Sequence, residues 1–281
     1  MNYQKILDDA SHQLVLNNIK TPKLDSELIL AKTLDLEREN ILLNLNNEIK
    51  KSLIKKFNYY LNLRKKNIPI AHILNYKFFW KYKFFVDKNV LIPRPETELI
   101  IEKILKILPL SSNKNILDIG TGSGCIAISL MKERPNCRIT AIDKSKKAIK
   151  VAKKNAEMHQ VKKKIKFLNI DVDKYFSNKY DIIISNPPYI TNSELLSLDK
   201  DVKLNEPKIA LSGGFSGLEI FFKIINKCNR LLKNNGMLIL EIGHKQGNKL
   251  KQYLKSKGFN KIKIYKDLSG KNRCLVSTKN H

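Results

Sequence analysis

Residues 115–130 read NILDIGTGSGCIAISL, and this stretch decides the fold class. Its first five residues are typical of a buried β-strand, and a helical pattern begins near position 123. The glycines between them, at positions 120, 122 and 124, let the backbone pass close to a ligand where the strand turns into the helix. The stretch therefore predicts an α/β domain whose ligand-binding loop follows its first strand.

Strand and helix patterns alternate from this stretch to the end of the chain. Further strands are predicted at 138–142, 165–169, 180–185, 237–242, about 261–266 and about 272–278. Helices are predicted at 123–134, 145–157, 216–233 and 246–257, after an earlier one that ends near 108. This alternation is typical of a mainly parallel sheet, here of seven strands, with helices on both faces. Because no crossover helix fits between the last two strands, we expect them to pair antiparallel at one edge.

The sequence before residue 93 predicts two smaller elements. Residues 1–70 carry apolar residues at helical spacing, with helices expected at 36–45 and 48–66 among others, and they predict a small helical bundle. Because this bundle holds no catalytic candidate, we hypothesise that it recognises the substrate. The aromatic-rich segment 71–92 predicts a β-hairpin linker, and we interpret its aromatic side chains as core residues. Residues 93–281 then form the predicted catalytic domain.

The net charge of +27 suggests a partner of opposite charge, such as a nucleic acid. The surplus consists of 46 Lys against 7 Arg, and it accompanies 29 Asn and 35 Ile. All three abundant residues share A/T-rich codons, whereas proteins that read nucleic acids favour arginine for its bidentate hydrogen bonds. We interpret the charge as compositional bias with lysines on solvated faces. The alternative is an acidic or RNA-containing partner.

Cysteine spacing and hydropathy indicate the cellular compartment and whether a metal site is expected. No apolar run reaches the ~18 residues that a membrane span needs, and the N-terminus has no signal-peptide core. The chain has only 5 His, and its cysteines are too far apart for a CxxC site. These cysteines are Cys125, Cys137, Cys228 and Cys274. We therefore predict a cytoplasmic monomer with reduced thiols, without a metal ion and without a membrane partner.

The spacing within the glycine loop distinguishes between two cofactor classes. The loop consists of Gly120, Thr121, Gly122, Ser123 and Gly124. This is GxGxG, whereas NAD binders use GxGxxG and place a pyrophosphate at the following helix N-terminus. S-adenosylmethionine has an amino-acid end instead, and Asp118 is expected to face its cationic amino group. The loop therefore favours S-adenosylmethionine over NAD.

Acidic residues after the next two strands complete the predicted cofactor site. Asp143 follows Gly124 by 19 residues and ends the second strand, where its carboxylate can accept hydrogen bonds from both ribose hydroxyls. The alternative is that Asp143 caps the helix at 145–157. Asp171 follows the third strand and is expected to reach the adenine amino group, with Val172 beside it. We assign all three residues to cofactor binding.

The fourth strand ends in Ser185-Asn186-Pro187-Pro188-Tyr189, at the edge where parallel sheets bind ligands. A planar amide or amino nitrogen needs acceptors that stabilise its growing positive charge while it attacks a methyl sulfonium. The Asn186 side-chain oxygen and the Pro187 carbonyl can each accept one N–H, and Tyr189 can stack on the flat group. The predicted catalytic residues are Asn186, Pro187 and Tyr189. The substrate-binding set adds Pro188, and Asn186 also contacts the cofactor.

The motif by itself leaves the substrate open. Amino groups of adenine and cytosine are planar in the same way as a side-chain amide, so nucleic acid and protein substrates both fit. The alternative is that Asn-Pro-Pro is an ordinary turn without a catalytic role. The motif follows a glycine loop and Asp143, and this position favours a catalytic role.

Several segments share a pattern with one known family. They are LDSELILAKTL, FFWKYKFFVDKNVLIPRPETELIIE, ILDIGTGSGCIAISL, DIIISNPPYI, EPKIALSGGFSGLEI, LILEIGHKQG and KDLSGKNR. On these segments the chain resembles the release factor glutamine methyltransferases (PrmC, also called HemK). The IPRPETE segment and the stretch from Glu206 to Leu218 are more specific to this pattern than the glycine loop is. Departures stand at Ile68, His72 and Asn75, where the family generally has an acid, Tyr and Gly.

The resemblance implies a helical N-terminal domain followed by a seven-stranded, Rossmann-like class I methyltransferase domain. It implies methyl transfer from S-adenosyl-L-methionine to the side-chain amide nitrogen, N5, of the glutamine in the Gly-Gly-Gln motif of class 1 peptide chain release factors. Carried over by position, Gly120 to Gly124, Asp143, Val172 and Asn186 contact the cofactor. Asn186, Pro187, Pro188 and Tyr189 hold the glutamine amide. Nucleic acid is not required as a partner.

Two other functions stay open from the residues alone. An amino-methyltransferase of adenine or cytosine in DNA or RNA would fit the charge and the NPPY motif, although we find no inserted target-recognition region. A non-catalytic binding module would fit the fold, but it would need neither an intact glycine loop nor an intact NPPY motif.

Overall fold

A computed structural model of the protein describes residues 1–177 and 179–280. The chain divides into two compact units. The helical unit consists of Met1–Tyr76 and Asp199–Asn205, and the sheet unit consists of Lys77–Leu198 and Glu206–His281.

The helical unit is built from short amphipathic helices. They are α1 (Tyr3–Leu16), α2 (Pro22–Leu34), α3 (Arg38–Leu42), α4 (Lys51–Lys65) and α5 (Ile70–Leu74), and the second segment adds α9 (Lys200–Asn205). In α1 the buried side chains recur every three or four residues, at Ile6, Ala10 and Leu14. The helices predicted at 36–45 and 48–66 are confirmed, with shorter bounds.

A buried ion pair ties the helical unit together. The Arg64 guanidinium donates to Asp25 at 2.6 Å, and both side chains are at most 6% exposed. Arg64 also donates to the Ile68 carbonyl at 3.1 Å and lies 3.7 Å from Asp201. The segment Asp199–Asn205 therefore packs with the helices, through Asp201 to Arg64 and through Asn205 to the Asn67 carbonyl. The prediction that places all of residues 93–281 in the catalytic domain is wrong for this segment, because these contacts join positions far apart in sequence.

The aromatic segment forms a hairpin of β1 (Tyr76–Phe79) and β2 (Tyr82–Phe85). It is shorter than the hairpin predicted at 71–92, because α5 occupies the preceding residues. Asn75 ends α5 in the left-handed conformation, with φ 62°. This backbone favours glycine and tolerates asparagine, which accounts for Asn75 at a position where the resembling family has Gly.

The described part of the sheet unit contains one seven-stranded sheet. Its strands are β3 (Asn115–Ile119), β4 (Arg138–Asp143), β5 (Ile165–Asn169), β6 (Tyr180–Ser185), β9 (Leu232–Glu241), β10 (Phe259–Lys266) and β11 (Asn272–Lys279). Their order is β10-β11-β9-β6-β3-β4-β5. The strands from β9 to β5 are parallel, whereas β11 pairs antiparallel with both β9 and β10. The predicted sheet and its antiparallel edge are confirmed. A separate small ladder pairs β7 (Ile190–Thr191) with β8 (Ser212–Gly214).

Helices cover both faces of this sheet. They are α6 (Glu98–Ile107), α7 (Cys125–Glu133), α8 (Lys146–Met158), α11 (Glu219–Leu231) and α12 (Gly247–Ser256), and a single-turn helix, α10 (Lys208–Leu211), lies in the connection before β8. The neighbours Ile116 and Leu117 of β3 are fully buried on opposite faces. Ile116 packs in a cluster with α6 and α7, which Phe79 and Phe84 of the hairpin join, so these two aromatics are core residues as predicted. Among the described helices, none is both long and apolar enough to cross a bilayer.

The register of the sheet brings three strand ends to one level. Ile119 of β3 pairs with Ile142 of β4 on one side and with Ser185 of β6 on the other. The residues that follow these three positions are Gly120, Asp143 and Asn186. The glycine loop, the predicted ribose acceptor and the NPPY motif therefore leave the sheet side by side.

We predict that the Asp25–Arg64 pair dominates the stability of the helical unit. Asp25→Ala should lower its free energy of unfolding by about 3–5 kcal/mol, because the buried guanidinium loses its partner. The control is Lys20→Ala, which breaks an exposed pair with Asp199 in the same unit and should cost far less than Asp25→Ala, because water screens this pair. Hydrogen exchange of buried amides in α2 and α4 measures both values. Equal losses in the two variants would contradict the prediction.

Candidate active site

An open cleft lies within the sheet unit at the carboxyl ends of β3, β4 and β6. Its empty space is about 1180 Å³, open mouth included. Of the predicted site residues, the lining contains Gly120, Thr121, Gly122, Ser123, Asp143, Asp171, Val172, Asn186, Pro187 and Pro188. Gly124 and Tyr189, although predicted as site residues, do not line it. The register therefore gathers most of the predicted site in one place.

Two glycines of the loop are required for different reasons. Gly120 has φ +75°, a conformation that side chains disfavour, and space around it is open to a ligand. Gly124 has φ +81°, and an added Cβ would approach Ile128 to 3.0 Å and Ala152 to 3.2 Å. Gly124 thus packs behind the loop, where helix α8 passes. Its contact with the cofactor stays a prediction.

Asn155 of α8 holds the loop from behind. It is fully buried and donates from Nδ2 to the Ser123 carbonyl at 2.8 Å and to the Phe85 carbonyl at 2.9 Å. Its Oδ1 accepts from the Phe85 N–H at 2.7 Å. Sequence reasoning missed Asn155, although a polar residue on the apolar face of a predicted helix was a usable signal.

Asp143 lines the cleft and has unused hydrogen-bond acceptor sites. Its Oδ1 accepts from the Ser145 N–H at 2.8 Å and its Oδ2 from the Gly122 N–H at 3.0 Å. Burial raises the pKa of Asp143, and these two hydrogen bonds oppose the rise. The cap of α8 is Ser145, which accepts from the Ala148 N–H, so the alternative of Asp143 as the helix cap is wrong. Each carboxylate oxygen keeps a second acceptor site, which suits two ribose hydroxyls.

Asp118 does not face the cleft, contrary to expectation. It is 1% exposed, and its Oδ2 accepts from the Thr121 hydroxyl at 2.6 Å. Burial raises the pKa of Asp118 to about 7, against the lowering effect of the Thr121 hydrogen bond. The carboxyl group supports the glycine loop internally, because β3 turns its side chain inward at this position.

Asp171 and Val172 line another part of the cleft. The Asp171 side chain accepts from the Asp173 N–H at 3.0 Å and begins a short 3-10 turn, so its backbone position is well defined. Their contact with an adenine ring stays a prediction.

Cys125 also lines the cleft, but its chemistry is limited. Burial raises the pKa of its thiol to about 12, so the group stays protonated and cannot act as a nucleophile near neutral pH. Within residues 1–177 and 179–280, no three His, Cys, Asp or Glu side chains gather as a metal site would require.

The NPPY motif is fixed by hydrogen bonds on both sides. The buried Ser185 hydroxyl donates to the Ile119 carbonyl at 2.7 Å, which joins the ends of β6 and β3. Asn186 donates from Nδ2 to the Thr97 hydroxyl at 3.1 Å. At Gly213 an added Cβ would lie 2.7 Å from the Tyr189 Cα. Only glycine at this position lets β8 lie directly against the NPPY motif.

Tyr189 points away from the cleft towards two residues that sequence reasoning missed. Its hydroxyl donates to Glu241 Oε1 at 3.1 Å and accepts from the Arg273 guanidinium at 3.2 Å. Burial raises the pKa of Tyr189, and the neighbouring Glu241 carboxylate adds to the rise. Stacking of its ring on a substrate stays a prediction. Glu241 lies in the LILEIG segment and Arg273 in KDLSGKNR, but the sequence pattern of these segments does not indicate what either side chain contacts.

Arg94 and Glu206 connect the two most family-specific segments. The Arg94 guanidinium donates to Glu206 Oε1 at 2.6 Å, and the Ile92 N–H donates to Oε2 at 3.1 Å. Arg94 lines the cleft, and so does Pro207, the residue after Glu206. The IPRPETE and EPKIAL segments therefore form one wall of the cleft together.

Comparison with known proteins agrees with this arrangement. Residues 5–74 match the PrmC N-terminal domain family, and residues 96–202 match the methyltransferase small domain family. A release factor glutamine methyltransferase of Caulobacter vibrioides is 34% identical over 96% of this chain and 94% of its own length. The chain belongs to the release factor glutamine methyltransferase family.

Other members and relatives of this family extend the comparison. A Coxiella burnetii release factor glutamine methyltransferase is 37% identical over 92% of both chains. A bifunctional methyltransferase of Rickettsia typhi is 38% identical, but this chain spans only 56% of its length. The crystal structure of a Pyrococcus furiosus methyltransferase superposes with a TM-score of 0.56, covering 81% of this chain and all of that one, at 20% identity. It supports the class I methyltransferase fold.

We predict that Asp118 makes stability fall as pH rises. Between about pH 4 and 7 the folded protein keeps a proton on Asp118 that the unfolded chain has released, so stability declines across this window. Asp118→Asn should remove this contribution, whereas the raised pKa values of Asp143 and Glu241 contribute equally in both proteins. Urea unfolding of the cofactor-free wild type and variant at several pH values measures the difference.

The control for this test is Asp181→Asn. Hydrogen bonds from the Asn115 N–H and Lys233 lower the pKa of Asp181 against the effect of partial burial, so its titration lies below the window. Its stability difference from wild type should stay level between about pH 5 and 8. A level difference for Asp118→Asn as well would contradict the prediction.

Proposed function

We propose that this protein transfers a methyl group from S-adenosyl-L-methionine to the N5 amide nitrogen of the glutamine in the Gly-Gly-Gln motif of class 1 release factors. One observation carries the proposal. The two acceptors for a planar N–H₂ group, on Asn186 and Pro187, line the same cleft as Asp143 and the glycine loop. The substrate names of the family members add to this support.

The residues of the cleft fit the proposed cofactor. S-adenosylmethionine supplies an electrophilic methyl group on a sulfonium. Asp143 has acceptor sites for the ribose hydroxyls, and Gly120 leaves open space beside the backbone. Asp171 and Val172 line the part of the cleft where we place the adenine.

The protein's part in the reaction is to bind and to stabilise charge. The amide nitrogen forms an N–C bond while the S–C bond breaks, its electron pair stays on sulfur, and the nitrogen then releases one proton. Asn186 and Pro187 accept the two N–H groups, and both acceptors become stronger partners as the nitrogen turns positive. No general base is needed before the transfer. Because the substrate is a translation factor, we place the reaction in the cytoplasm.

The second candidate is methylation of adenine or cytosine in DNA or RNA. The charge of +27 favours it, because a basic surface attracts phosphate. The chemistry of Asn186 and Pro187 would be the same on either substrate. Transfer to each substrate class therefore has to be measured in one experiment.

We predict that labelled methyl from S-adenosylmethionine appears on a class 1 release factor and not on oligonucleotides. A release factor whose motif glutamine is changed to Ala should stay unlabelled. Asn186→Ala should lower kcat about 100-fold or more, since it removes one acceptor that faces developing charge. The control Asn226→Ala, on the exposed side of α11, should keep wild-type turnover. Labelling of oligonucleotides alone would contradict the proposal.

We further propose that the helical unit supplies contacts to the release factor outside the Gly-Gly-Gln loop. A short loop offers little area for a specific interface, so affinity requires additional surface. The helical unit exposes apolar side chains such as Leu43 at 81% and Tyr59 at 60%. Single exposed apolar residues are normal on protein surfaces, so these two serve as the positions at which the proposed contact is tested.

This part of the proposal predicts a difference between protein and peptide substrates. A variant with Glu at both Leu43 and Tyr59 should lower kcat/KM for the intact release factor and leave kcat/KM for a loop peptide unchanged. Deleting the whole unit is a poorer test, because Asp199–Asn205 would lose its packing partners. Equal effects on both substrates would contradict a recognition role.

A further inference from the structure

Asn186 is connected to a buried carboxylate through one hydroxyl group. Its Nδ2 donates to Thr97 Oγ1 at 3.1 Å, and Thr97 Oγ1 donates to Glu241 Oε2 at 2.5 Å. The other oxygen of Glu241 accepts from the Tyr189 hydroxyl. Thr97 and Glu241 are each 2% exposed, so water does not compete for these bonds. The three residues come from separate segments, 89 and 144 positions apart along the chain.

Both oxygens of Glu241 accept hydrogen bonds in this network, one from the Thr97 hydroxyl and one from the Tyr189 hydroxyl. The single proton of the Thr97 hydroxyl is therefore directed to Glu241. The Thr97 oxygen then offers only lone pairs to Asn186. Only the amide nitrogen of Asn186 can satisfy them, and its Oδ1 is turned to the opposite side.

The reverse orientation of Asn186 would be costly at both ends. Its Oδ1 would meet the lone pairs of Thr97, which places two acceptors together in a buried site. Its NH₂ group would meet the N–H groups of the substrate, which places two donors together. A freely rotating asparagine would populate both states, and only one of them accepts an N–H from a substrate amide.

We propose that Thr97 and Glu241 are positioning residues that fix the amide orientation of Asn186 and thereby make the site select a substrate N–H₂ group over an acceptor. This inference rests on the proposed function of the same cleft. It assigns a role to the threonine of the IPRPETE segment and to the glutamate of LILEIG that differs from substrate contact. Thr97 contacts Asn186 directly, and Glu241 reaches Asn186 through Thr97.

The surroundings of Glu241 explain why an acid stands there. Its two oxygens each receive a hydroxyl donor, and the Arg273 guanidinium lies beyond Tyr189, while Glu96 adds a charge of the same sign. Burial raises the pKa of Glu241, and the Thr97, Tyr189 and Arg273 groups oppose that rise. A glutamine of the same shape would present a donor as well as an acceptor. The hydrogen bonds from residue 241 through Thr97 to Asn186 could then point in either direction, so a side chain of the same shape would not by itself orient Asn186.

The test uses three variants of the full chain: Glu241→Gln, Thr97→Val and Thr97→Ser. We expect Glu241→Gln and Thr97→Val to lower kcat on the release factor about tenfold, the loss of one oriented hydrogen bond, with the affinity for S-adenosylhomocysteine within about threefold of wild type. Thr97→Ser keeps the hydroxyl and should restore kcat to within about threefold. The control Thr33→Val removes an equally buried hydroxyl from the helical unit and should keep wild-type kcat.

A second readout separates orientation from general damage. Release factors carrying Gln or Glu at the acceptor position are compared for binding in the presence of S-adenosylhomocysteine. The wild type should prefer Gln about tenfold or more, since a carboxylate offers no N–H to Asn186 Oδ1. Glu241→Gln should shrink or invert this preference, whereas loss of structure would weaken both complexes equally.

The outcomes distinguish the inference from the function on which it rests. If the wild type methylates no release factor, the proposed function fails. If the wild type is active and the Glu241→Gln variant keeps both its kcat and its Gln preference, the positioning role is wrong. Equal weakening of both complexes would also overturn it. Should Thr97→Val not fold, Glu241→Gln and Thr97→Ser still decide the matter.

Discussion

The pairing of β3 with a parallel neighbour on each side is the constraint on which the site depends. Ile119 lies opposite both Ile142 and Ser185, so the chain leaves three adjacent strands at the same level. A parallel sheet directs all its carboxyl ends to one edge, and crossovers in opposite directions leave a crevice there. A slip of one residue in either pairing would turn the side chains of that strand to the other face. The position of the cleft is therefore set by strand order and register and not by any single side chain.

A second layer of buried polar groups gives this edge its precision. Asn155 holds the glycine loop from behind, Arg94 and Glu206 join two segments of the wall, and Glu241 gathers Thr97 and Tyr189. Each group would be costly to bury without its partners. Because the partners are satisfied only in one arrangement, they also exclude others. Residues outside the reacting set thus determine how the loops of the site can lie.

The sequence predicted the parts of this account that depend on local pattern. The antiparallel pairing of the last two strands, the glycine loop and the placement of Asp143 at a strand end follow from periodicity, spacing and the length of the connections. The prediction that Asp118 faces the cofactor is wrong, because the spacing of residues along a strand does not tell on which side of the strand end a side chain lies. Thr97 and Glu241 were missed because a contact across 144 residues leaves no periodic trace. The packing of Asp199–Asn205 with the helical unit was missed for the same reason.

A crystal structure with S-adenosylhomocysteine and a glutamine-containing release factor loop tests the central claim most directly. We expect both ribose hydroxyls to donate to Asp143, and the glutamine N–H₂ group to lie between Asn186 Oδ1 and the Pro187 carbonyl. Asn186 Nδ2 should still donate to Thr97. A ribose held by residues other than Asp143, or a glutamine amide that contacts neither acceptor, would contradict it.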